Sequence, residues 1–563
     1  MLTGDNGIIR NAQEAKVKTE KESAREQIQL EVIGALDNYG DVKLATLKTN
    51  LQTNENADVT SIEDIQIDNA LTGKISLDGY DFYVDENGKV LDYDGPVGTP
   101  TPEKSTKTAF SRANGRIDIV FLNGTGYNVT ETPNTPALDN TMVPVYYDDT
   151  NSVWKVCSAS DTTTWYRYEA ADVRKAGADV DDNKQSRWAN VMLTDNIVVE
   201  KDGATYTTAQ IKNLLTNNSL STIVGATVTT EGSMLVWIPR YAYKITYYSS
   251  SAKTSGKEVG YSDSRGLVDT EGKTPSDLQT PTTSVNVTGT IGTTNYEYYR
   301  PHPAFETDKD QGGWSTKITG IWVGKFEATG SLTDVTTLSN TVALKGSSAT
   351  VGALYNAIES KLKSGSTESH MMKNSEWGAI SYLTESKYGR NEVPVTRNTN
   401  SSYYTGGNRY KTNTLQSTTG NIYGVYDTVG GVYEYVASYI ANSKYSYGYQ
   451  FASTVIQPTS KNDKKTSTPY STVYKYDDKS DTSTNNYALS LNKMFGDAIA
   501  ETSTAESGAT SWNSAYSNFV CSFNPFFRRG GNCDNSRAGS FCFSYSNGNG
   551  FDSYGSRVVC VVK

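Results

Sequence analysis

The apolar positions near the start of the chain have helical spacing. Within residues 10–37, apolar side chains recur every three or four positions among charged ones, which predicts one amphipathic helix. A second, shorter helix is predicted after Asp41, where leucines again fall on one stripe. The two stripes consist of Ala24, Ile28, Val32, Ala35 and Leu36, and of Leu44, Leu47 and Leu51.

The pattern then changes to alternation. Residues KISLDGYDFYVDENGKVLDYDG alternate on both sides of Asn87-Gly88, a dipeptide that favours a tight hairpin turn. Residues 1–94 are therefore predicted to form a small module of helices and a hairpin. The Pro-, Gly- and Thr-rich segment 95–106 is predicted to be a linker.

Short strand-like segments dominate the middle of the chain. Residues 107–232 contain RIDIVFLNG and MVPVYYDD, with one helix candidate around AQIKNLLTNN, and are predicted to form a β-rich spacer domain. From residue 233 the strands become more aromatic, and SMLVWIPRYAYKITYY is interrupted at Pro239. Residues 233–563 are predicted to form one C-terminal domain, and the predicted fold class is α+β.

One helix is predicted in this C-terminal domain. NSEWGAISYLTES has the spacing of a helix capped by Asn374 or Ser375, with Trp377, Ile380 and Leu383 facing inward. Three tracts rich in Ser, Thr, Asn and Tyr are predicted to be long surface insertions. These tracts are residues 251–300, 397–420 and 456–487.

The C-terminal tail combines low complexity with an apolar end. Residues 530–556, GGNCDNSRAGSFCFSYSNGNGFDSYGS, contain no Lys, Glu, Gln, Met or Trp, and RVVCVVK follows. Such a composition usually means disorder. Here the interleaved Phe and Tyr residues and the run Val558–Val562 offer apolar surface to bury, so we predict an ordered surface that ends in a core strand.

Composition argues against several classes of function. The formal net charge is −10 and no basic cluster occurs, which disfavours nucleic acid as a partner. His302, His370 and five scattered cysteines provide no zinc motif, catalytic triad or disulfide framework. Both histidines are therefore predicted to be structural or superficial rather than catalytic. No apolar run is long enough to predict a membrane-spanning segment.

The N-terminal helix and hairpin resemble a known type of surface protein. LTGDNGIIRNAQEAKVKTEKESAREQIQLEV, together with the hairpin DGYDFYVDENGKV, resembles the part that follows the membrane helix in type IV pilin-like surface proteins of Gram-positive gut bacteria. This resemblance implies a short basic leader and an apolar helix upstream of Met1, which would be the only contact with the membrane. It also implies an extracellular, cell-surface location and pilus subunits as partners. An ordinary surface helix is the alternative.

The C-terminal domain resembles the formylglycine-generating-enzyme type of C-type lectin fold. The matching stretches are MMKNSEWGAISYL, GNIYGVYDTVGGVYEYVASY and FRRGG before a terminal strand. The resemblance implies a mixed α+β domain whose irregular half presents the site. It also implies a structural calcium ion held by Asp427, Gly430, Val432 and Glu434, because oxygen ligands suit a hard cation. The alternative is that Asp427 and Glu434 only cap the turn.

The same family includes copper oxidases, whose active cysteines form a closely spaced pair after the RGG element. Cys533 and Cys542 match neither that position nor that spacing. We therefore predict no catalytic residue and no required cofactor, and a copper- or thiol-dependent oxidase remains an alternative function.

The tail, about residues 512–557, resembles the variable region of diversity-generating retroelement proteins, which share this lectin fold. In those proteins template adenines are randomised, chiefly in AAY codons, which yields Asn, Ser, Tyr, Cys, Phe, Asp and Arg. It cannot yield Lys, Glu, Gln, Met or Trp, the types missing from residues 530–556. The resemblance implies a hypervariable face that binds an unknown protein or glycan at a cell or phage surface.

The predicted contact residues are the ones that interrupt the fixed-looking glycines and phenylalanines of the tail. They are expected to face outward, with the three cysteines exposed and unpaired. They are Cys521, Phe523, Arg528, Cys533, Asp534, Arg537, Cys542, Ser544, Tyr545, Phe551, Asp552 and Tyr554. A purely structural pilus subunit, in which the tail packs against neighbouring subunits, is the remaining alternative.

Overall fold

The structure is a computed structural model, and it describes fifteen stretches of the chain. They are residues 5–36, 42–55, 57–59, 71–85, 88–93, 112–169, 186–248, 258–261, 287–364, 367–441, 449–453, 456, 466–477, 482–491 and 494–563. The predicted linker 95–106 and large parts of the tracts 251–300 and 456–487 lie outside these residues. The chain divides into two compact units, Met1–Ser105 and Thr106–Lys563.

The fold class is α+β and rich in strands, as predicted. The α-helices of the described residues are α1 Asp5–Gly34, α2 Leu44–Asn54, α3 Thr162–Trp165, α4 Thr208–Thr216, α5 Val351–Glu359, α6 Asn374–Glu385 and α7 Ser483–Ser490. None of the helices in this part of the chain is both long enough and apolar enough to cross a bilayer.

The strands of the first unit are β1 Asp58–Val59, β2 Ile75–Leu77, β3 Tyr80–Val84 and β4 Val90–Asp92. Those of the second unit, up to its midpoint, are β5 Gly115–Leu122, β6 Val129–Thr130, β7 Met142–Asp148, β8 Val153–Val156, β9 Asn190–Leu193, β10 Val198–Lys201, β11 Ala204–Tyr206, β12 Thr227–Thr230, β13 Met234–Pro239, β14 Tyr241–Tyr248, β15 Glu258–Tyr261, β16 Val287–Ile291, β17 Thr294–Pro301 and β18 Gly320–Gly324. The remaining strands are β19 Thr329–Ser331, β20 Asp334–Thr336, β21 Lys363–Ser364, β22 Thr367–Met371, β23 Tyr433–Ile440, β24 Thr472–Tyr474, β25 Ser507–Gly508, β26 Ser517–Asn518, β27 Phe526–Arg529, β28 Phe543–Ser546, β29 Tyr554–Ser556 and β30 Val558–Val562.

The first unit packs two helices on a four-stranded sheet of order β1-β2-β3-β4. The predicted hairpin is confirmed, since β3 and β4 pair antiparallel with Val84 opposite Val90. The predicted stripe of α1 is buried except for Leu36, which is 42% exposed. The prediction for Leu36 is wrong because α1 ends at Gly34, so that this residue no longer follows the helical period.

The second unit has one continuous core, and this corrects the predicted boundary between residues 107–232 and 233–563. Strand β5 pairs with β14 over seven residue pairs, and β9 pairs with β13. Ile117, Trp188 and Val559 belong to the same buried cluster. The predicted spacer is therefore part of the same body as the C-terminal region, because its strands are needed to complete the sheets of that region.

An eleven-stranded antiparallel sheet runs through this unit in the order β11-β10-β12-β8-β7-β9-β13-β18-β30-β22-β21. The apolar end of the chain is β30, which lies between β18 and β22. Four of its five residues, from Val558 to Val561, are buried. The predicted core strand is thus confirmed, and it fixes the end of the tail to the middle of the largest sheet.

Helix α6 packs on the core with every residue buried, including Trp377, Ile380 and Leu383. Its cap differs from the prediction, because the position before the first turn is Lys373 rather than Asn374 or Ser375. The backbone N–H of Lys373 donates to Glu376 Oε2 at 2.8 Å. Strand β24 and the tail strands form a further sheet of order β24-β23-β27-β28-β26-β25, with β29 paired to β23.

Candidate functional site

The tail is an ordered part of the second unit. Strands β27 and β28 pair antiparallel with Arg528 opposite Ser544, and β27 also pairs with β23. Strand β29 lies on the other side of β23, with Tyr554 beside Tyr433. The prediction that residues 530–556 are ordered rather than a disordered tract is therefore confirmed.

The fixed-looking positions of the tail turn the chain or fill the core. Phe526, Phe527 and Phe543 are 0% exposed. Gly548 has a φ of +96°, and a Cβ at this position would lie 2.8 Å from the Phe526 ring. Gly531, at φ +79°, has room for no side chain because Ala538 would lie 2.7 Å from an added Cβ.

The predicted contact residues divide into three groups by exposure. Phe523, Asp534, Arg537, Phe551 and Asp552 are exposed, and Cys521, Tyr545 and Tyr554 are half-buried. Arg528, Cys533, Cys542 and Ser544 are buried. The expectation that all of these residues face outward is therefore wrong for the last group.

Both buried cysteines have a local physical reason for their position. The Cys533 N–H donates to the carbonyl of Gly431 at 2.9 Å, which ties this residue to the turn before β23. The Cys542 N–H donates to Gly539, and its carbonyl accepts from Arg529 Nε at 2.9 Å. Burial raises the pKa of the Cys542 thiol to about 12. It also raises the pKa of Cys533. Both directions are opposite to what a copper-binding or nucleophilic thiolate requires.

Arg528 lies at the centre of the tail face. By strand register, Arg528, Ser544, Tyr433 and Tyr554 share one face of the sheet, and we call these four residues the Arg528 cluster. The guanidinium carbon lies 4.6 Å from the Tyr433 ring centre and 4.2 Å from that of Tyr554. Nη2 donates to Ser544 Oγ at 3.1 Å. The two rings therefore hold the guanidinium by cation–π contact.

Aromatic and amide groups extend the Arg528 cluster toward solvent. The Phe551 ring centre lies 5.4 Å from that of Tyr554, and Phe551 is 56% exposed. Asn535 Nδ2 donates to the Tyr433 hydroxyl at 2.6 Å. Burial raises the pKa of Tyr433 to about 12, so its hydroxyl keeps its proton at neutral pH. The surface combines an arginine, rings and amides, which are the residue types of adaptable binding faces.

Tyr433 was missed as a contact residue by the sequence analysis. It lies in the motif YDTVGGVYEY, far from Arg528 in the chain, and only the pairing of β23 with β27 and β29 brings it to the tail. No local pattern in the sequence carries this information.

The predicted calcium ligands surround one turn, but one of them already has a cationic partner. Glu434 accepts from Arg557 through both carboxylate oxygens, at 2.9 Å from Nε and 2.5 Å from Nη2. Asp427 Oδ1 accepts from Asn398 Nδ2 at 2.9 Å. The N–H of Gly406 donates to the same oxygen. Within the predicted surface insertion 397–420, Asn398 and Gly406 are therefore anchored to Asp427, while residues such as Ser401 and Arg409 are exposed.

A third carboxylate, Glu327, joins this turn and was not predicted. The N–H of Val432 donates to Glu327 Oε1 at 2.7 Å, while Oε2 is buried without a hydrogen-bond partner among the described residues. Burial raises the pKa of Glu327 well above its ordinary range. It also raises the pKa of Asp427 to about 6. Gly430 leaves space at this turn for Asn398, whose carbonyl would lie 2.3 Å from an added Cβ.

These residues fit calcium only in part. Oxygen donors are present, but the Arg557 guanidinium already neutralises Glu434, and the described residues contain no group of three or more acidic, His or Cys side chains suited to a metal. Calcium at Asp427, Gly430, Val432 and Glu434 therefore stays a prediction. Arg557 could have been suspected from the sequence, since a charged residue at the start of a core strand needs a buried partner.

Both histidines are buried and have structural partners. His370 Nε2 lies 2.8 Å from Glu376 Oε1, and neither side chain is exposed. The Ala304 N–H donates to His302 Nδ1 at 3.3 Å, and burial lowers the pKa of His302 to about 3. Of the two predicted roles, structural or at the surface, their placement fits the structural one.

A cavity of about 470 Å³ lies elsewhere in the second unit, lined by Tyr127, Arg300, Phe495 and neighbouring residues, none of which belongs to the tail. No known protein family and no curated protein sequence matches the chain.

Proposed function

We propose that this chain is a surface-displayed ligand-binding protein of the adhesin or receptor kind, with residues 512–557 as a retroelement-diversified face on a C-type lectin-like scaffold. One observation carries the proposal: the tail combines side chains locked in the core with side chains left in solvent. Phe526 is 0% exposed, whereas Phe523 and Phe551 are 49% and 56% exposed. Large exposed rings on a rigid frame are typical of binding surfaces.

The proposed mechanism is non-covalent. The core strand β30 and the buried phenylalanines hold the backbone of the tail, so exposed positions can change without cost to the fold. Exposed rings such as Phe551 supply contact area, and polar neighbours such as Asp534 and Arg537 supply specificity. The mechanism requires no cofactor, and a calcium ion at the Asp427 turn would have a structural role.

The first unit is proposed to be the attachment module of the same protein. Its single long helix α1 and its hairpin agree with the type IV pilin-like arrangement implied by the resemblance. In this proposal the module joins pilus subunits on the outside of a Gram-positive gut bacterium, and a helix upstream of Met1 supplies the membrane contact. The head is then presented to a protein or glycan ligand on another cell or a phage.

The most direct test of diversification is the DNA beside the gene. We expect a near-identical repeat of the sequence that encodes residues 512–557, with adenines at the codons of exposed residues, beside a reverse-transcriptase gene. An intact locus with neither feature would contradict the retroelement part of the proposal.

A protein-level test uses the division within the tail. A library that randomises Phe523, Asp534, Arg537, Phe551 and Asp552 among the AAY-derived types should express folded protein in most clones. A matched library should yield few folded clones. It randomises the buried positions Phe526, Phe527, Phe541, Cys542 and Phe543. Equal tolerance of the two libraries, measured by thermal unfolding of individual clones, would remove the basis for a diversified face.

A further inference from the structure

Among the residues that the structure describes, Arg528 is a buried cation without an acidic partner. Its side chain and backbone together are 9% exposed, and the one hydrogen bond that its side chain makes to the described residues goes to the neutral Ser544 Oγ. Nε is buried and has no partner in the described part of the chain, where no carboxylate lies within ion-pair distance of this residue. Buried charges in proteins are usually paired, because an unpaired one pays the full cost of leaving water.

The neighbouring arginines show what a satisfied guanidinium looks like in the same sheet. Arg529 donates from all three of its nitrogens, to Cys542 O, Asn374 Oδ1, Asp497 O and Ala498 O. Arg557 is equally occupied, by Glu434, Gly324 O and Tyr426 O. Arg528 alone among these three keeps most of its five N–H groups without a described protein acceptor.

The surroundings of Arg528 hold the guanidinium in place without neutralising it. The faces of Tyr433 and Tyr554 lie 4.6 and 4.2 Å from its central carbon, and the two rings are inclined by 87° to each other. Tyr433 is itself held by Asn535. A guanidinium already fixed by rings loses little freedom when an acceptor arrives, so its donors are organised in advance for an anion.

We propose that Arg528 anchors a subsite for a carboxylate group of the ligand. The proposal rests on the proposed function, which it deepens by naming the ligand chemistry. A planar carboxylate matches the fork of one guanidinium, whereas a doubly charged phosphate generally needs more than one cation. The exposed Asp534 and Asp552 of the tail and the net charge of −10 repel any anion, and they repel a dianion more strongly than a singly charged carboxylate.

The test measures binding of small acids to the full chain by ligand-observed NMR titration. The probes are N-acetylglutamate α-amide, whose one carboxylate is in the side chain, and glucuronate. Their neutral counterparts, N-acetylglutamine α-amide and glucose, serve as controls. We expect at least one acid to bind about tenfold or more tightly than its counterpart, because the charged hydrogen bonds are lost in the neutral form. Preference for the first acid indicates an acidic protein side chain as the source, and preference for the second indicates a sugar acid.

Variants then locate the site. Arg528→Gln should remove the preference for the acid, and Arg528→Lys should retain only part of it, because an ammonium cannot form the bidentate pair. Arg409→Gln is the matched control, since it removes the same charge from an exposed arginine outside the tail. It should bind both probes as the unchanged chain does.

Equal binding of acids and neutral counterparts by the unchanged chain would overturn the carboxylate subsite, and this comparison stands even if Arg528→Gln fails to fold. A preference that survives in folded Arg528→Gln would overturn it as well. Failure of the subsite is distinguishable from failure of the proposed function. If the gene has an adenine-substituted repeat beside it but the protein binds no carboxylate, diversification is supported and the subsite is wrong. If Arg528 binds a carboxylate but the intact locus has no repeat, the subsite is supported and diversification is wrong.

Discussion

Two arginine environments meet in the C-terminal region, and they differ in whether the protein itself satisfies the charge. Around Arg529 and Arg557, carbonyls and Glu434 accept hydrogen bonds from every guanidinium nitrogen. In the Arg528 cluster two tyrosine rings and one hydroxyl surround the same chemical group. In the first environment the protein satisfies the guanidinium. In the second, most of the guanidinium donors have no acceptor among the described residues, and the proposed carboxylate subsite rests on this observation.

Burial alone therefore does not indicate whether the protein itself satisfies a charged side chain. Arg528 and Arg529 are consecutive and both are buried, yet strand alternation sends their side chains to opposite faces of the sheet. The face toward α6 offers acceptors such as Asn374 beside the Trp377 ring, whereas the other face offers the rings of Tyr433 and Tyr554 with one hydroxyl. The number of guanidinium N–H groups that donate to a protein acceptor therefore distinguishes the two arginines better than their exposed fractions do.

The largest loss of stability is expected when Arg557, whose guanidinium nitrogens all donate hydrogen bonds, is replaced. Arg557→Met leaves Glu434 buried without its partner, which should lower the free energy of unfolding by about 3–5 kcal/mol. All eight tryptophans lie in the second unit, so denaturant unfolding followed by tryptophan fluorescence reports on this unit alone. The double variant Arg557→Met/Glu434→Gln should recover part of the loss. An unchanged unfolding midpoint in the single variant would show that the ion pair does not stabilise the fold.

The next prediction compares the two consecutive arginines directly. Arg529→Met leaves Asn374 Oδ1 and three carbonyls without their donor, and should cost roughly 3 kcal/mol. Arg528→Met removes a buried charge that has no acidic partner in the described part of the chain, and it should change stability by less than about 1 kcal/mol in either direction. The same fluorescence measurement serves both variants, and equal losses would erase the distinction between the two environments.

The third prediction concerns pH at the Asp427 turn. Burial raises the folded-state pKa of Asp427 to about 6, so the native state keeps a proton that the unfolded chain has released between about pH 4 and 6. Stability from this group is present at low pH and is lost as pH rises through 6. Relative to the unchanged chain, Asp427→Asn should gain roughly 2–3 kcal/mol between pH 4 and 7. Parallel pH profiles of the two proteins would contradict this assignment.

The same measurement sharpens the calcium prediction. A calcium ion bound by Asp427 would favour its ionised form and lower its pKa, so millimolar calcium should flatten the pH dependence of the unchanged chain. Asp427→Asn is the control, since its profile should respond less. If calcium does not change the pH dependence of stability of the unchanged chain, Asp427 is not a calcium ligand. Arg557 is then the cation that balances the carboxylates of this turn.

The smallest stability effect is expected at the exposed edge of the Arg528 cluster. Phe551→Ser should change the free energy of unfolding by less than about 0.5 kcal/mol, because the ring is more than half exposed. Phe526→Ser is the matched control, and it should cost several times more because that ring is fully buried. A large loss in Phe551→Ser would mean that this ring supports the fold.

Much of the fold follows from local sequence pattern. The stripe of α1, the hairpin at Gly88, helices α4 and α6 and the interruption at Pro239 all rest on spacing or on one residue type, and the structure contains each of them. The boundary at residue 232 was wrong because strand pairing is not encoded locally. Strands β5 and β9 pair with strands beyond that boundary, and no local property of residues 107–232 predicts this pairing.

The candidate site was predictable only in outline. The missing residue types marked residues 530–556, and the exposed Asp534, Arg537 and Phe551 agree with that outline. Cys533 and Cys542 were misplaced because a cysteine suits the core and the surface equally well, and backbone contacts decided their position.

The sequence by itself determined that the tail ends in a core strand, because the run Val558–Val562 loses too much by staying in water. It also determined the helices and the hairpin, whose periods depend on neighbours a few positions apart. Only the tertiary structure decided which of the two arginines has a protein acceptor for each of its guanidinium nitrogens. Arg528 and Arg529 are identical in type and adjacent in the chain, and their partners come from Tyr433, Asn374 and Asp497, which reach them only when β23, α6 and the loop after α7 are packed together.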